Sequence, residues 1–323
     1  MPPAGYRSQP DARICHAGAD RRNNHGVHKM KQEALNILII GAGPAGITTA
    51  IQLKRYGLMP ILLEKKHVGG LLRNANLVEN YPGFPEGITG PKLIALLEKQ
   101  IQRIGVDVIF DEVKSLKFED SWLAETKQAV YQPDVVIIAT GTKPRPLPVE
   151  VPEQVKKRVF SEVWPLANVE RQHIIIIGAG DAAFDYALNL AGRGNTVTIL
   201  NRGSEVSCLP LLWERARATP AISYREQTTL QRIEGDTQDG RLHLFTDDSS
   251  LTTDYMLSAI GREPQLDFMA ESVKLQKRKL MECGKLYFVG DVHNGLFRQT
   301  AIAVGEGLRA AIQVYEKMSL QGR

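Results

Sequence analysis

At 323 residues, with 43% apolar and 24% charged side chains, the chain has the composition of a globular protein with room for two domains. Its net charge of +4 is local: six of the 40 Lys/Arg and two of the 36 Asp/Glu stand in residues 1–31, leaving 34 of each elsewhere. A neutral body offers no footprint for nucleic acid, and no apolar run approaches the ~18 residues of a membrane span.

Residues 1–33 (Pro2, Pro3, Gly5, Asn23, Asn24, Gly26) lack apolar periodicity and a hydrophobic signal core. They read as a disordered leader, with Met30 as an alternative start. The cysteines are Cys15, Cys208 and Cys283. They are too dispersed for a disulfide framework or a metal cluster, which fits a reducing cytoplasm.

From Leu35 the pattern is an apolar strand, Ile37–Ile40, then Gly41-Ala42-Gly43-Pro44-Ala45-Gly46, then an amphipathic helix over about 45–56 and a strand over 60–64. This is a right-handed βαβ unit with a dinucleotide-binding fingerprint at its turn. Residues 66–91, rich in Gly, Pro and Asn, read as a long loop, a common carrier of function. A helix over 91–105 and strands over 106–110 and 135–139 follow, the last running into Ala139-Thr140-Gly141. Pro144, Pro146, Pro148 and Pro152 then make a stiff extended linker, the best domain boundary in the chain.

The fingerprint returns as Gly178-Ala179-Gly180-Asp181-Ala182-Ala183, behind Ile174–Ile177, in a second βαβ unit over about 173–201. Hairpin-like sequence near 234–254 leads to a strand closing at Ala259-Ile260-Gly261. After Pro264 the pattern is variable until a strand over 286–289 that ends in Gly290-Asp291; a final helix is expected over about 300–317. This internal duplication predicts an α/β protein with two three-layer Rossmann-like nucleotide-binding domains.

The copies differ where a nucleotide's identity is read. Twenty-three residues beyond the first glycine stands Glu64 in one copy, and Asn201 followed by Arg202 in the other. A carboxylate there accepts bonds from ribose hydroxyls, while its absence beside an Arg leaves room for a 2′-phosphate. Arg202 also reads as part of a solvated strand end without discrimination, and Gly290-Asp291 as an ordinary strand exit. Two nucleotides of different kind on one chain mean electron transfer between cofactors.

Glu79-Asn80-Tyr81-Pro82-Gly83, Gly69-Gly70-Leu71-Leu72, Gly290-Asp291 and Arg298-Gln299-Thr300 resemble low-molecular-weight thioredoxin reductases. More broadly the chain is similar, over about 34–318, to pyridine nucleotide-disulfide oxidoreductases and to thioredoxin-reductase-like ferredoxin–NADP reductases. The resemblance implies FAD in the first site, with Gly41, Gly43, Pro44, Ala45 and Gly46 at the pyrophosphate, Glu64 on the adenosine ribose and Asp291 on the ribitol. Asn80 and Arg298, Gln299 and Thr300 would lie by the isoalloxazine. Lys65, Gly70, Leu72, Val113, Ala139, Thr140, Gly141 and Gly290 would complete the site. It implies NADPH, with NADH not excluded, at Gly178, Gly180, Asp181, Ala182, Ala183, Asn201, Arg202, Ile260 and Gly261. The FAD domain would be discontinuous, 34–147 plus 265–323, with the NAD(P)H domain, 148–264, inserted, and the protein a cytoplasmic homodimer.

Thioredoxin reductases carry a redox Cys-x-x-Cys before the second fingerprint. Their spacing lands here on Ser161-Glu162-Val163-Trp164, and no Cys-x-x-Cys exists anywhere in the chain. Serine cannot supply a thiolate for disulfide exchange. Their His-Arg-Arg at the second ribose end is here Asn201-Arg202-Gly203, with Arg215 the next Arg. The ferredoxin–NADP reductases lack the dithiol but commonly add a C-terminal extension that this sequence lacks. The expected activity is therefore hydride transfer from NAD(P)H to the flavin, with electrons leaving for an external acceptor, a ferredoxin- or flavodoxin-type protein first. No side chain is expected to act as acid or base. Alternatives are a flavoprotein reduced by a partner protein, and a non-catalytic flavin- or nucleotide-binding redox sensor.

Overall fold

The computed structural model describes residues 35–235 and 240–321; the expected leader and Cys15 lie outside them. The first large sheet is built around β1 (Ile37–Ile40), which is followed by α1 (Pro44–Arg55), β2 (Ile61–Glu64), α2 (Gly90–Ile104) and β3 (Val108–Phe110). A meander of β4 (Ser115–Phe118), β5 (Trp122–Glu125) and β6 (Val130–Tyr131) precedes β7 (Val135–Ile138). Chain then leaves through β8 (Thr142–Pro144).

The second sheet comprises β9 (Val159–Phe160), β10 (His173–Ile177), β11 (Thr196–Leu200), β12 (Ile222–Arg225) and β16 (Tyr255–Ser258). Helix α3 (Asp181–Ala191) follows β10, and α4 (Pro210–Arg217) precedes β12. Between β12 and β16 runs an antiparallel meander, β13 (Leu230–Gly235), β14 (Leu242–Thr246) and β15 (Ser250–Thr253). The chain returns through β17 (Arg262–Pro264), α5 (Glu271–Glu282), β18 (Leu286–Phe288) and α6 (Thr300–Gln321).

The first sheet runs β18-β7-β1-β2-β3 and the second β12-β11-β10-β16-β9, every neighbouring pair parallel. Parallel strands are covered on both faces, which is why β1, β7 and β10 read as unbroken apolar runs. Alternate residues serve two cores. Ile37, Ile39 and Ile137 pack with α1, α2 and α6, while Leu38, Ile40 and Ile138 pack with the first meander and α5. The second sheet repeats the scheme: Ile174 and Ile176 face α3, and Ile175 faces the second meander. Each sheet with its two covers is one lobe, a three-layer Rossmann-like unit. The two chain crossings between lobes, β8 and β17, pair antiparallel, with Thr142 opposite Pro264 and Pro144 opposite Arg262.

Helix α5 lies where the sequence reads as variable. Only Val273 and Leu280 on it are buried, too few to set up a visible helical period.

Candidate functional site

The first cradle starts where β1 ends. Gly41 adopts φ +106°, and a Cβ there would stand 2.4 Å from the Ala139 carbonyl oxygen, so only glycine makes this turn. Its N–H donates to the Leu63 carbonyl at 2.8 Å. A Cβ on Gly46 would stand 1.9 Å from the Gly41 oxygen, so α1 is packed directly on the turn. Around Gly43, at the N-cap of α1, a Cβ would meet no atom within 4 Å, and no side chain caps the helix. Pro44 opens the helix, leaving free N–H groups and a positive dipole end facing open space, the requirements of a pyrophosphate.

Glu64 ends β2 and is buried. Its Oε2 accepts the Ala42 N–H at 2.9 Å and its Oε1 the Lys66 N–H at 2.9 Å. The carboxylate thus braces the turn while its remaining lone pairs stay available to a ribose. Lys65 beside it is exposed. Gly69 donates to the Ala42 carbonyl at 2.8 Å, and Gly70 lies against Gly43, 3.5 Å from its built Cβ to the Gly43 Cα. Leu72 and Val113 point into cores, and the Leu72 carbonyl accepts the Ala75 N–H at 3.1 Å.

The residues expected at the ring end converge from several elements. Asn80 Nδ2 donates to Gln299 Oε1 at 2.9 Å. Arg298 Nη1 donates to the Arg262 carbonyl at 3.2 Å, and its Nε is buried without a partner, a donor that a ligand would satisfy. Gly290 donates to Glu306 Oε2 at 2.7 Å, next to Asp291. Burial pushes the Asp291 carboxyl up, opposed by the nearby Arg298 and Arg262. Thr140 Oγ1 donates to the Gln265 carbonyl at 2.7 Å, Gly141 follows it, and Thr300 starts α6. Gly290 reaches back to the first cradle: a Cβ there would stand 3.0 Å from the Ala45 Cβ on α1.

The second cradle repeats the first. Gly178 has φ +122°, and its Cβ would stand 2.4 Å from the Ala259 oxygen. Gly180 is open apart from Ser207 Oγ at 3.9 Å. Asp181 opens α3 and accepts the Leu209 N–H at 2.8 Å; Ala182 is exposed and Ala183 fully buried. Ile260 and Gly261 continue the strand that packs against Gly178, as Thr140 and Gly141 do in the first lobe.

Asn201 is used inside its own loop. Its Nδ2 donates to the Glu205 carbonyl and the Tyr224 hydroxyl at 2.8 and 2.9 Å, and its Oδ1 accepts the Gly203 N–H at 3.1 Å. Arg202 stays exposed. Arg225, whose carbonyl accepts the Asn201 N–H at 2.8 Å, ends β12 alongside it and escapes a sequence reading because only the strand order makes them neighbours. Arg215 is not at this site: it pairs with Glu79 of the other lobe at 2.7 Å.

Ser161–Trp164 meets the first lobe. Trp164 N–H donates to Asn74 Oδ1 at 3.1 Å and Asn74 Nδ2 donates to Glu162 Oε2 at 3.4 Å. Cys208 is half-buried, which pushes its thiol up and away from thiolate chemistry. No helix among the described residues is long and apolar enough to cross a membrane.

Residues 35–307 match the family model of the pyridine nucleotide-disulphide oxidoreductases. A thioredoxin reductase from Mycolicibacterium smegmatis is 30% identical over 297 residues, 87% of this chain and 96% of that protein. The 34.2 kDa protein in the rubredoxin operon of Clostridium pasteurianum is 28% identical over 300 residues, 88% of this chain and 97% of that one. Among solved structures, Lactococcus lactis thioredoxin reductase in its FR conformation superposes with a TM-score of 0.75 at 26% identity, covering 88% of this chain and 99% of that one.

Proposed function

The chain belongs to the pyridine nucleotide-disulphide oxidoreductase family, and on that premise we propose that it is an FAD-dependent NAD(P)H oxidoreductase whose electrons leave for an external acceptor. The thioredoxin reductases of this family use FAD and NADPH. The observation that carries the proposal is the pair of equivalent cradles, Gly41–Gly46 and Gly178–Ala183, on a chain without a Cys-x-x-Cys.

The residues fit the two nucleotides. The open space at Gly43 admits a pyrophosphate, and the orphaned Arg298 Nε awaits an acceptor. Glu64 would hold the adenosine ribose of FAD and Asp291 its ribitol, while exposed Arg202 pairs with the 2′-phosphate of NADPH. When bound, FAD would supply the two-electron chemistry, a hydride entering from NADPH and two electrons leaving singly to two molecules of a one-electron acceptor, with the proton released to solvent. The chain's own share is to orient both nucleotides and exclude water.

Because no internal dithiol can pass electrons on, the acceptor is separate, and we favour a small ferredoxin- or flavodoxin-type redox protein. The relative from a rubredoxin operon supports that class. We further propose the 34–147 plus 265–323 and 148–264 domain division and a homodimer. The exposed Leu296, Phe297, Ile302 and Leu308, close in sequence before and along the start of α6, support the dimer as apolar side chains available to a partner. The test is anaerobic stopped-flow mixing of the purified flavoprotein with NADPH and with NADH, then with ferredoxin, flavodoxin, quinone and thioredoxin. Bleaching of the flavin absorbance and reoxidation by a one-electron protein are expected. A flavin that neither nucleotide bleaches would sink the reading.

A further inference from the structure

The segment Ser161–Trp164 has exchanged redox chemistry for contacts. Asn74, only 3% exposed, has both ends of its carboxamide taken by it: Oδ1 by the Trp164 N–H and Nδ2 by Glu162. The Arg73 guanidinium lies over the Trp164 ring, 5.6 Å from its centroid, and Arg262 Nη2 stands 3.8 Å from Glu162 Oε1. The next residues of the same loop are held from α3 and α4. Asp185 Oδ2 accepts the Asn76 N–H at 3.0 Å, Asn189 Nδ2 donates to Asn76 Oδ1 at 3.4 Å, and Arg215 grips Glu79 bidentately at 2.7 and 2.8 Å.

Residues 73–79, the approach to Asn80, are thus shaped by the second lobe. Helix α3 carries the second nucleotide cradle at its N-terminus and grips Asn76 along its flank. We infer that Glu162 and Trp164, standing where a dithiol would be, form with Asn74 a clasp that keeps the second lobe docked on the Asn80 loop throughout turnover. Glu162 and Asn74 are then positioning residues for hydride transfer. This rests on the proposed function, because Asn80 matters to the reaction only as a neighbour of the flavin.

The physics favours a closed clasp. Opening it would exchange two direct cross-lobe hydrogen bonds of Asn74 and the Arg73–Trp164 contact for water, a net loss. A dithiol that must visit the flavin and then a substrate could not be tied this way. A chain with no dithiol loses nothing by it.

The experiment compares the full-length holoprotein with Asn74→Ala, Glu162→Ala and Glu162→Gln. Hydrogen exchange over residues 73–80 reads docking, and anaerobic NADPH titration of the flavin-reduction rate separates binding from the limiting rate. Asn74→Ala is expected to speed exchange across the loop. It should also lower the limiting rate at least tenfold, with the NADPH dissociation constant within twofold. Glu162→Ala, at a half-exposed side chain that the fold does not need, should do the same by about threefold, and Glu162→Gln, which keeps an acceptor, should restore the rate. Unchanged exchange in Glu162→Ala, or faster exchange with an unchanged limiting rate, would overturn the clasp. A wild-type flavin that NADPH leaves oxidised would overturn the proposed function instead, and the exchange comparison would still judge the docking.

Discussion

The Asp185 carboxylate accepts the Asn76 N–H at 3.0 Å across the two lobes, and burial pushes its carboxyl up to about 6. Asp181 on the same helix adds to the rise, and the backbone N–H groups of Asn76 and Leu77 oppose it. Because the folded value lies above the unfolded ~3.9, the group's contribution is whole below about pH 4 and lost as the pH rises through about 6. The ionisation penalty at neutral pH is on the order of 2–3 kcal/mol at ~1.4 kcal/mol per unit. Asp185→Asn should flatten that part of the stability profile. Urea midpoints of both proteins between pH 4 and 8 check it: a constant difference across the range would contradict the assignment.

Gly46 and Ala183 occupy equivalent places, yet only the second has room for a methyl. With the built Cβ 1.9 Å from the Gly41 oxygen, Gly46→Ala must push α1 off the turn. Purified Gly46→Ala protein should retain less than a tenth of the wild-type flavin. Ala183→Gly should keep its nucleotide site and lose about 1 kcal/mol of stability, the ordinary cost of glycine in a helix. Flavin content and thermal unfolding of the two variants decide the matter.

Glu64 braces Ala42 and, on the proposed reading, also receives a ribose. Glu64→Gln keeps one acceptor and should weaken FAD binding several-fold. Glu64→Ala leaves a buried N–H unpaired, so it should add about 1–3 kcal/mol of destabilisation to the apoprotein. Apoprotein titration with FAD and denaturant unfolding separate the two effects.

Arg202 and Arg225 are both exposed where β11 and β12 end, whereas Arg215 is engaged with Glu79; on the proposed reading Arg202 meets the 2′-phosphate. Arg202→Ala should raise the NADPH concentration for half-maximal flavin reduction about 10- to 100-fold and leave NADH nearly unchanged. Equal losses for both nucleotides would mean that Arg202 does not read the phosphate.

What the sequence made legible was local. Both cradles announce themselves because β1 and β10 are buried on two faces and each runs into a glycine whose conformation other residues resist. The β4–β6 meander and α5 leave weaker marks, since each buries one face only and α5 buries little of that. Asn201 could not be assigned from its position, because Tyr224 and Glu205 consume its amide only once β12 lies beside β11. The Asn74–Trp164 contact joins residues 90 positions apart, and no motif encodes it.

Strand β18 enters the first sheet beside β7, pairing Leu286 with Val136, and α6 covers α1 only after the chain has passed through the whole second lobe. The second lobe is continuous, so it can form its sheet as soon as residue 258 is available. The first must wait for its edge strand and last helix, and such non-local pairings form slowly. During synthesis, which presents the N-terminal part first, the first lobe therefore stands without its edge strand and last helix while the second matures. The first lobe is thus complete only once β18 and α6 have been made, and flavin loading is expected to follow them.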